Sequence, residues 1–346
     1  MATPETMIEA RSAGEVLAWS RTTLDAALRP AIDTLPASMR HIAGYHFGWW
    51  DEHGEPIAAD RGKAIRPALV LLMAEAMGGT ATAAVPAAVA VELVHNFSLL
   101  HDDVIDRDAT RRHRPTAWSV FGVSAAILAG DALLTLAFDI LAASGDTVGP
   151  RAARQLSAAV LELTDGQNSD VGFETRDDVN LAECLRMAEG KTGALLGCAC
   201  ALGGLYGGAR PEQIEHLADF GRHLGLAFQF VDDLLGIWGD PRVTGKPVHS
   251  DLRNRKKSLP VVAALTSGTP EGRELAGLYS GDRPLTGPEL GRAAALVDAA
   301  GARAWSQAQA DDLLAKALRH LDAADPAVRP GAELAALARL ATRRDH

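Results

Sequence analysis

Residues Leu99–Thr116 read LLHDDVIDRDATRRHRPT, an apolar run that passes into Asp102, Asp103 and Asp106 and then into Arg111, Arg112 and Arg114. Upstream, residues 84–106 place apolar side chains at helical spacing, so the stretch reads as a long helix ending in its aspartates. Positions i and i+4 of a helix share a face one turn apart, which lets Asp102 and Asp106 hold one divalent cation between them or one each. Carboxylates that close repel one another unless a cation neutralises them. Taken alone, the stretch also reads as a solvated acidic helix end with surface ion pairs.

Outward from this helix, alanine and leucine continue at helical spacing, and strand signals are nearly absent. Residues 1–40 read as one or two helices broken by Pro30 and Pro36, and 41–62 as a loop. A helix starts near Arg66-Pro67 and stops at Gly78-Gly79. Residues 107–116 form a basic loop, followed by helices at 118–144 and 149–172 and a polar loop at 173–180. The next helix, 181–207, is expected to bend at Gly190-Lys191-Thr192-Gly193. Another runs over 211–238. The segment 239–257, rich in glycine, proline and charge, reads as a lid loop, and alanine-rich helices follow, with turns marked by Pro270, Gly281, Pro284 and Pro288. The fold class is all-α: one domain over 1–346, a bundle of long helices around a central apolar cavity.

The 346 residues are 47% hydrophobic and 23% charged, a globular balance with ample core material. The net charge of −10 and the lack of a long basic block argue against a nucleic-acid partner. Cys184, Cys198 and Cys200 follow no disulfide or zinc pattern, which suits a reducing cytosol and a cytoplasmic location. The N-terminal stretch has early acidic residues and no apolar segment of a secretory signal, and no uninterrupted apolar run suggests a membrane span.

A second acidic group, Asp232-Asp233, ends the 211–238 helix. Two acid-tipped helices could face each other across a bundle cavity. Magnesium suits such a site, because it takes oxygen ligands, uses one or two carboxylates and completes its shell with water and phosphate oxygens. A diphosphate is repelled by bare carboxylates and attracted once they carry Mg²⁺. Arg111, Arg112, Lys191, Lys246 and Lys256 could clamp its remaining oxygens.

At this point the chain resembles the trans-isoprenyl (polyprenyl) diphosphate synthases. The resemblance runs in order through GKAIRP at 62–67, VELVHNFSLLHDDVIDRDATRRHRPT at 91–116, DGQNSD at 165–170, KTGALLG at 191–197 and FQFVDDLLGIWGDPRVTGKPVHSDLRNRKKSLP at 228–260. It implies the isoprenoid synthase fold, a homodimer, and a Mg²⁺-dependent condensation of isopentenyl diphosphate with an allylic diphosphate. By position, Asp102, Asp106 and Asp232 would bind three Mg²⁺ ions, with Asp103 and Asp233 in support. Arg111, Lys191, Lys246 and Lys256 would bind the allylic diphosphate. Lys63, Arg66, His95 and Arg112 would bind isopentenyl diphosphate. Thr192 and Gln229 would sit near the developing allylic cation, and Gln167 and Asp170 match an element near the metal–diphosphate site.

The pattern departs from the family at three places. Gly236 replaces the usual third aspartate of the second group, and His113 and His249 stand where glycine is common. Chain length is expected to be set by Phe97, five residues before Asp102, with Ser98 beside it. An aromatic there with a small neighbour resembles geranylgeranyl (C20) synthases, with farnesyl (C15) the near alternative. Ideal helix geometry sets Phe97 about 140° from Asp102, so this assignment rests on the resemblance. Two rival readings are a class I terpene cyclase and a non-catalytic partner subunit. Asp232-Asp233 and the Lys63, Arg66 and His95 set weigh against the first, and the retained aspartates and lid lysines against the second.

Overall fold

The computed structural model describes residues 10–60, 62–145, 147–241, 247–281 and 283–342. Among these the elements are helical, apart from a hairpin of two-residue strands, β1 (Thr110–Arg111) and β2 (Arg114–Pro115), and one isolated bridge between Trp50 and Pro56. The chain divides into two compact units: residues 1–157, 198–218 and 320–338, and residues 158–197, 219–319 and 339–346.

The first unit opens on α1 (Ala13–Asp33), which starts at a reciprocal cap between Ser12 and Glu15. Its buried residues Val16, Ser20, Leu24, Leu28 and Ile32 fall every fourth position, a single inward face. Pro30 does not break this helix, contrary to the sequence expectation. It lies in the last turn and forfeits one backbone bond just before the helix ends. The expected loop at 41–62 is also shorter, because α2 (Ala37–His46) occupies its start. Trp50 folds back on that helix, and a Cβ at Gly44 would fall 1.9 Å from the indole ring.

The next two helices, α3 (Ile65–Ala76) and α4 (Ala81–Ile105), form the centre of this unit. Ala68 to Ala74 are wholly inaccessible to solvent, and α4 buries residues on every side along much of its length. Helices apolar all round belong inside a fold. Small residues allow close approach: a Cβ on Gly203 would lie 2.5 Å from the Val70 carbonyl oxygen. Gly122, at φ +90°, separates α5 (Ala117–Phe121) from α6 (Val123–Ala142), where the sequence suggested one helix. Both α4 and α6 are long and apolar enough to cross a membrane by length and composition. The apolar window of α4 is 67% buried inside the protein, as suits a core helix, and that of α6 is 39% buried.

The second unit contains the later part of α7 (Gly149–Phe173), then α8 (Leu181–Ala188), entered through a reciprocal cap between Asn180 and Glu183. The bend expected at Gly190–Gly193 is a π-helical turn over Glu189–Gly193, after which α9 (Ala194–Tyr206) resumes. Helix α10 covers Pro211–Trp238. Phe230 packs edge-on to Trp305 at 5.5 Å, in a cluster with Cys184, Met187, Leu226, Leu259 and Val262. Each such buried apolar side chain contributes about 1.5–3 kcal/mol. Within the 239–257 stretch expected to be loop, Ser250–Arg253 forms a short helix; Leu259–Leu265 follows that stretch, and Pro270 and Pro288 lie in the first turns of later helices.

Candidate active site

In the first unit, α4 delivers its aspartates at its C-terminal end, where Asp106 caps the helix. Adjacent helical positions point about 100° apart, so Asp102 and Asp103 cannot share an environment. Asp102 is half-buried and Asp106 exposed, while Asp103 is only 1% exposed. Asp103 Oδ1 accepts from Arg111 Nε and lies 2.7 Å from Arg111 Nη2 as well. Burial pushes the Asp103 carboxyl up against the pull of Arg111, and Asp103 in turn holds Arg111 firmly charged. The basic stretch is therefore built: Arg112 and His113, both at positive φ, form the two-residue turn of the β1–β2 hairpin, and the hairpin presents Arg111 to Asp103.

A cationic cluster lies beside this pair. Arg66 Nη1 is 3.3 Å from His95 Nε2. Arg112 lies against Gly62, where a Cβ would fall 2.6 Å from its Nη2, and Arg21 donates to the Gly62 carbonyl. Burial, with Arg66 and Arg112 nearby, pushes His95 well below its ordinary value, so it is a neutral acceptor that orients Arg66. His46 is likewise held neutral, pushed down to about 3 by burial and then by Arg111 and Arg112. A second buried carboxyl, Glu92, answers Arg66 and Arg112; its Oε1 accepts from Asn96 Nδ2 at 3.0 Å, and burial pushes it up. Arg66 Nε, Glu92 Oε2, His46 Nε2 and Asp103 Oδ2 are buried with no hydrogen-bond partner among the described residues. So dense a set of unmatched polar atoms marks a place for a polar ligand or water. Lys63 stands exposed at the entrance to α3.

The second unit sorts its aspartates the same way. Asp232 is exposed, and Asp233 is 3% exposed. Asp233 Oδ1 accepts from Gln229 Nε2 at 2.7 Å, and Oδ2 accepts from the Leu259 N–H at 2.8 Å. That N–H opens the helix Leu259–Leu265 and has no intrahelical acceptor, so Asp233 satisfies it across the fold. Burial pushes Asp233 up to about 7, while Lys256 and these donors oppose the shift. Thr192 Oγ1 donates to Gln229 Oε1 at 2.6 Å, which fixes the Gln229 amide between Thr192 and Asp233. Lys191 pairs with Asp170 at 2.6 Å from the π-helical turn. Burial acts to discharge Lys256, but Asp170, Asp251, Asp233 and Asp232 outweigh it and hold the ammonium charged.

Asp102, Asp103, Arg111, Arg112, Arg66 and His95 thus gather in the first unit, and Lys191, Thr192, Gln229, Asp170, Asp232, Asp233 and Lys256 in the second. Lys246 lies outside the described residues. Both side-chain polar atoms of Gln167 are buried without a hydrogen-bond partner among the described residues. Phe97 is 9% exposed and packs edge-on against His101 at 4.7 Å, next to Gly130 of α6, and Ser98 bonds the His95 carbonyl. Sequence reasoning missed His46, Glu92, Asn96 and Asp251. Only Gly236, a glycine inside a helix, carried a signal, and it pointed to Asp251.

Among the described residues, no three His, Cys, Asp or Glu side chains converge on a ready-made metal cage. The donor set nevertheless fits magnesium: half-buried Asp102 and exposed Asp106 stand one turn apart at the negative end of a helix dipole, where a hydrated ion would complete its shell with phosphate oxygens.

A family model described as polyprenyl synthetase matches residues 48–292. A (2E,6E)-farnesyl diphosphate synthase of Mycobacterium bovis is 47% identical over 326 residues, 93% of this chain and 91% of that protein. A geranylgeranyl diphosphate synthase of Mycobacterium tuberculosis is 48% identical over 327 residues, 94% of this chain and 92% of that one. The crystal structure of a polyprenyl synthetase from Streptomyces coelicolor superposes with a TM-score of 0.92 at 47% identity, covering 95% of this chain and 99% of that chain.

Proposed function

Because the chain belongs to the polyprenyl synthetase family, we propose that it condenses isopentenyl diphosphate with an allylic diphosphate into a longer trans-prenyl diphosphate. The observation that carries this reading is the repeated sorting of the two aspartate pairs. Each offers one accessible carboxylate and buries its neighbour in a bond that fixes the surrounding frame. We read the two units as parts of one isoprenoid synthase domain.

Asp102, Asp106 and Asp232 would hold three magnesium ions, which when bound neutralise the diphosphate and ease its departure. Arg111, Lys191, Lys246 and Lys256 bind the allylic diphosphate oxygens and supply positive charge to them. Arg66, Arg112 and Lys63 bind isopentenyl diphosphate, with neutral His95 holding Arg66 in place. The allylic C–O bond breaks, the double bond of isopentenyl diphosphate attacks the resulting cation, and a proton passes to the released diphosphate. Thr192 and Gln229, locked to each other and to Asp233, present ordered oxygen atoms near that cation. Water must be kept out, and the 239–257 stretch is the lid that excludes it.

The product is read as C20, with C15 the alternative, and Phe97 with Ser98 as the floor of the chain pocket. Exposed Val123, Ile127 and Leu128 on α6 support a homodimer, since apolar side chains left outside favour a second copy. The location is read as cytoplasmic. The test is product analysis with Mg²⁺, labelled isopentenyl diphosphate and each allylic primer in turn. Label in a C15 or C20 diphosphate supports the reading. A cyclised hydrocarbon, or no turnover by the purified chain alone, overturns it. Phe97→Ala is expected to lengthen the product, and an unchanged length removes Phe97 as the floor.

A further inference from the structure

The chain enters α3 through a costly backbone. Gly62, at φ +73°, and Ala64, at φ +51°, both take the left-handed conformation, and Ala64 carries a side chain there. Such backbone persists only where its surroundings hold it. At Gly62 it is held from three sides. Asp60 Oδ1 accepts from the Gly62 N–H at 2.9 Å. The Arg112 guanidinium lies against the Cα, where a Cβ would fall 2.6 Å from Nη2 and 2.8 Å from Cζ. From α1, Arg21 Nη2 donates to the Gly62 carbonyl. Arg21 stands beside buried Ser20 and Leu24 on a helix that packs against both α3 and α4, so its base is fixed. Its charge acts on the buried Glu92 carboxyl together with those of Arg66 and Arg112, which places it at the edge of the same cationic cluster.

We propose that Arg21 is a positioning residue for the isopentenyl diphosphate site: it fixes the Gly62 carbonyl from α1 and so sets where Lys63 and Arg112 present their charges. The Gly62 carbonyl and the Lys63 N–H belong to one planar peptide unit. With that carbonyl held by Arg21 and the Gly62 N–H held by Asp60, the peptides on both sides of the Gly62 Cα are fastened. Lys63 then leaves the loop in one direction, and Arg112 rests on backbone that only glycine leaves bare. Without Arg21 the peptide between residues 62 and 63 is free to turn, and Lys63 and Arg112 lose their common reference. That these charges receive isopentenyl diphosphate rests on the prenyl-transfer reading above. The fastening of the loop by Arg21 does not.

The experiment uses the full chain as wild type, Arg21→Gln, Arg21→Lys, Gly62→Ala and the double variant Arg21→Gln/Gly62→Ala. Arg21→Gln is expected to raise KM for isopentenyl diphosphate about 10- to 100-fold and to leave KM for the allylic diphosphate unchanged. A merely structural role would lower the melting temperature and disturb both substrates alike. Arg21→Lys keeps the charge and a donor, and is expected to recover most of the loss. Because Arg21 acts through Gly62, the double variant is expected to be no worse than the worse single variant. An unchanged KM for isopentenyl diphosphate in Arg21→Gln, or an equal rise for both substrates, overturns the positioning role. Losses that multiply in the double variant overturn the route through Gly62. If wild type forms no prenyl product, the function reading fails, and magnesium-free calorimetry with inorganic diphosphate decides the inference by itself. Weaker binding to Arg21→Gln than to wild type supports it, and equal binding, or none to wild type, overturns it.

Discussion

Asp103 follows a half-buried aspartate and Asp233 an exposed one, and each turns inward to a partner the local sequence does not reveal. Asp103 meets Arg111, brought back by a hairpin, and Asp233 meets a backbone N–H from residue 259. Spacing alone says that adjacent carboxylates diverge on a helix, not which one is buried, so this division was illegible before the fold. Removing one partner of a buried pair leaves an uncompensated charge. Asp103→Ala is therefore expected to destabilise the chain by about 3–5 kcal/mol in urea denaturation. A loss below about 1 kcal/mol contradicts the pair's structural role.

His46 gives a second prediction at this scale. Its folded value, about 3, lies below the ordinary value of 6.5, because burial and Arg111, Arg112 and Arg114 disfavour the cation while Asn96 opposes them weakly. The unfolded chain then binds more protons in acid. Stability is full above pH 6.5 and is lost as pH falls from there towards 3. His46→Gln is expected to flatten the fall of melting temperature over that window, and an unaltered slope would assign it to other groups.

At the scale of elements, the period of apolar residues fixed what alanine and leucine dominate. Helix α10 spans the 211–238 read from sequence, and the expected bend at 190–193 is the π-helical turn. Legibility failed where aromatic residues and glycine replaced that pattern. GYHFGWW, at 44–50, looks like loop, yet its first residues end α2 and Trp50 fills the space left by Gly44. The arginine-rich stretch conceals a hairpin because its turn uses Arg112 and His113 at φ +49° and +61°, positions that glycine or asparagine usually signals. His113→Gly removes that strain and is expected to stabilise the chain by up to about 1 kcal/mol, offset by the greater entropy of glycine when unfolded. A clear destabilisation in urea contradicts the strained turn.

His249 has the same strained backbone, at φ +63°, and burial and Arg253 push its imidazole below the ordinary value. It is neutral above about pH 6.5. His249→Gly is expected to alter the activity profile only on the acid side of that value, and a change confined to alkaline pH contradicts this. Glycine packing is a further element-scale device. A Cβ on Gly166 would fall 2.3 Å from the Lys191 backbone nitrogen, so α7 and the π-helical turn touch through glycine. Gly166→Ala is expected to cost about 1–3 kcal/mol and to lower activity by shifting Lys191 and Thr192. Wild-type stability and turnover together would contradict that contact.

For the whole molecule, fold class and family were legible because five motifs recur in order along one chain. Chain length of the product was not, because its assignment to Phe97 rested on the resemblance, while helix geometry alone turned Phe97 away from Asp102. The proposed function requires that Asp102 and Asp232 each take part in metal-dependent binding of a diphosphate. Calorimetric titration of a non-reactive allylic diphosphate analogue, with and without Mg²⁺, tests it most directly on wild type, Asp102→Ala and Asp232→Ala. The account predicts metal-dependent binding to wild type that weakens at least about tenfold in each variant. Metal-independent binding, or wild-type affinity in Asp232→Ala, would contradict it.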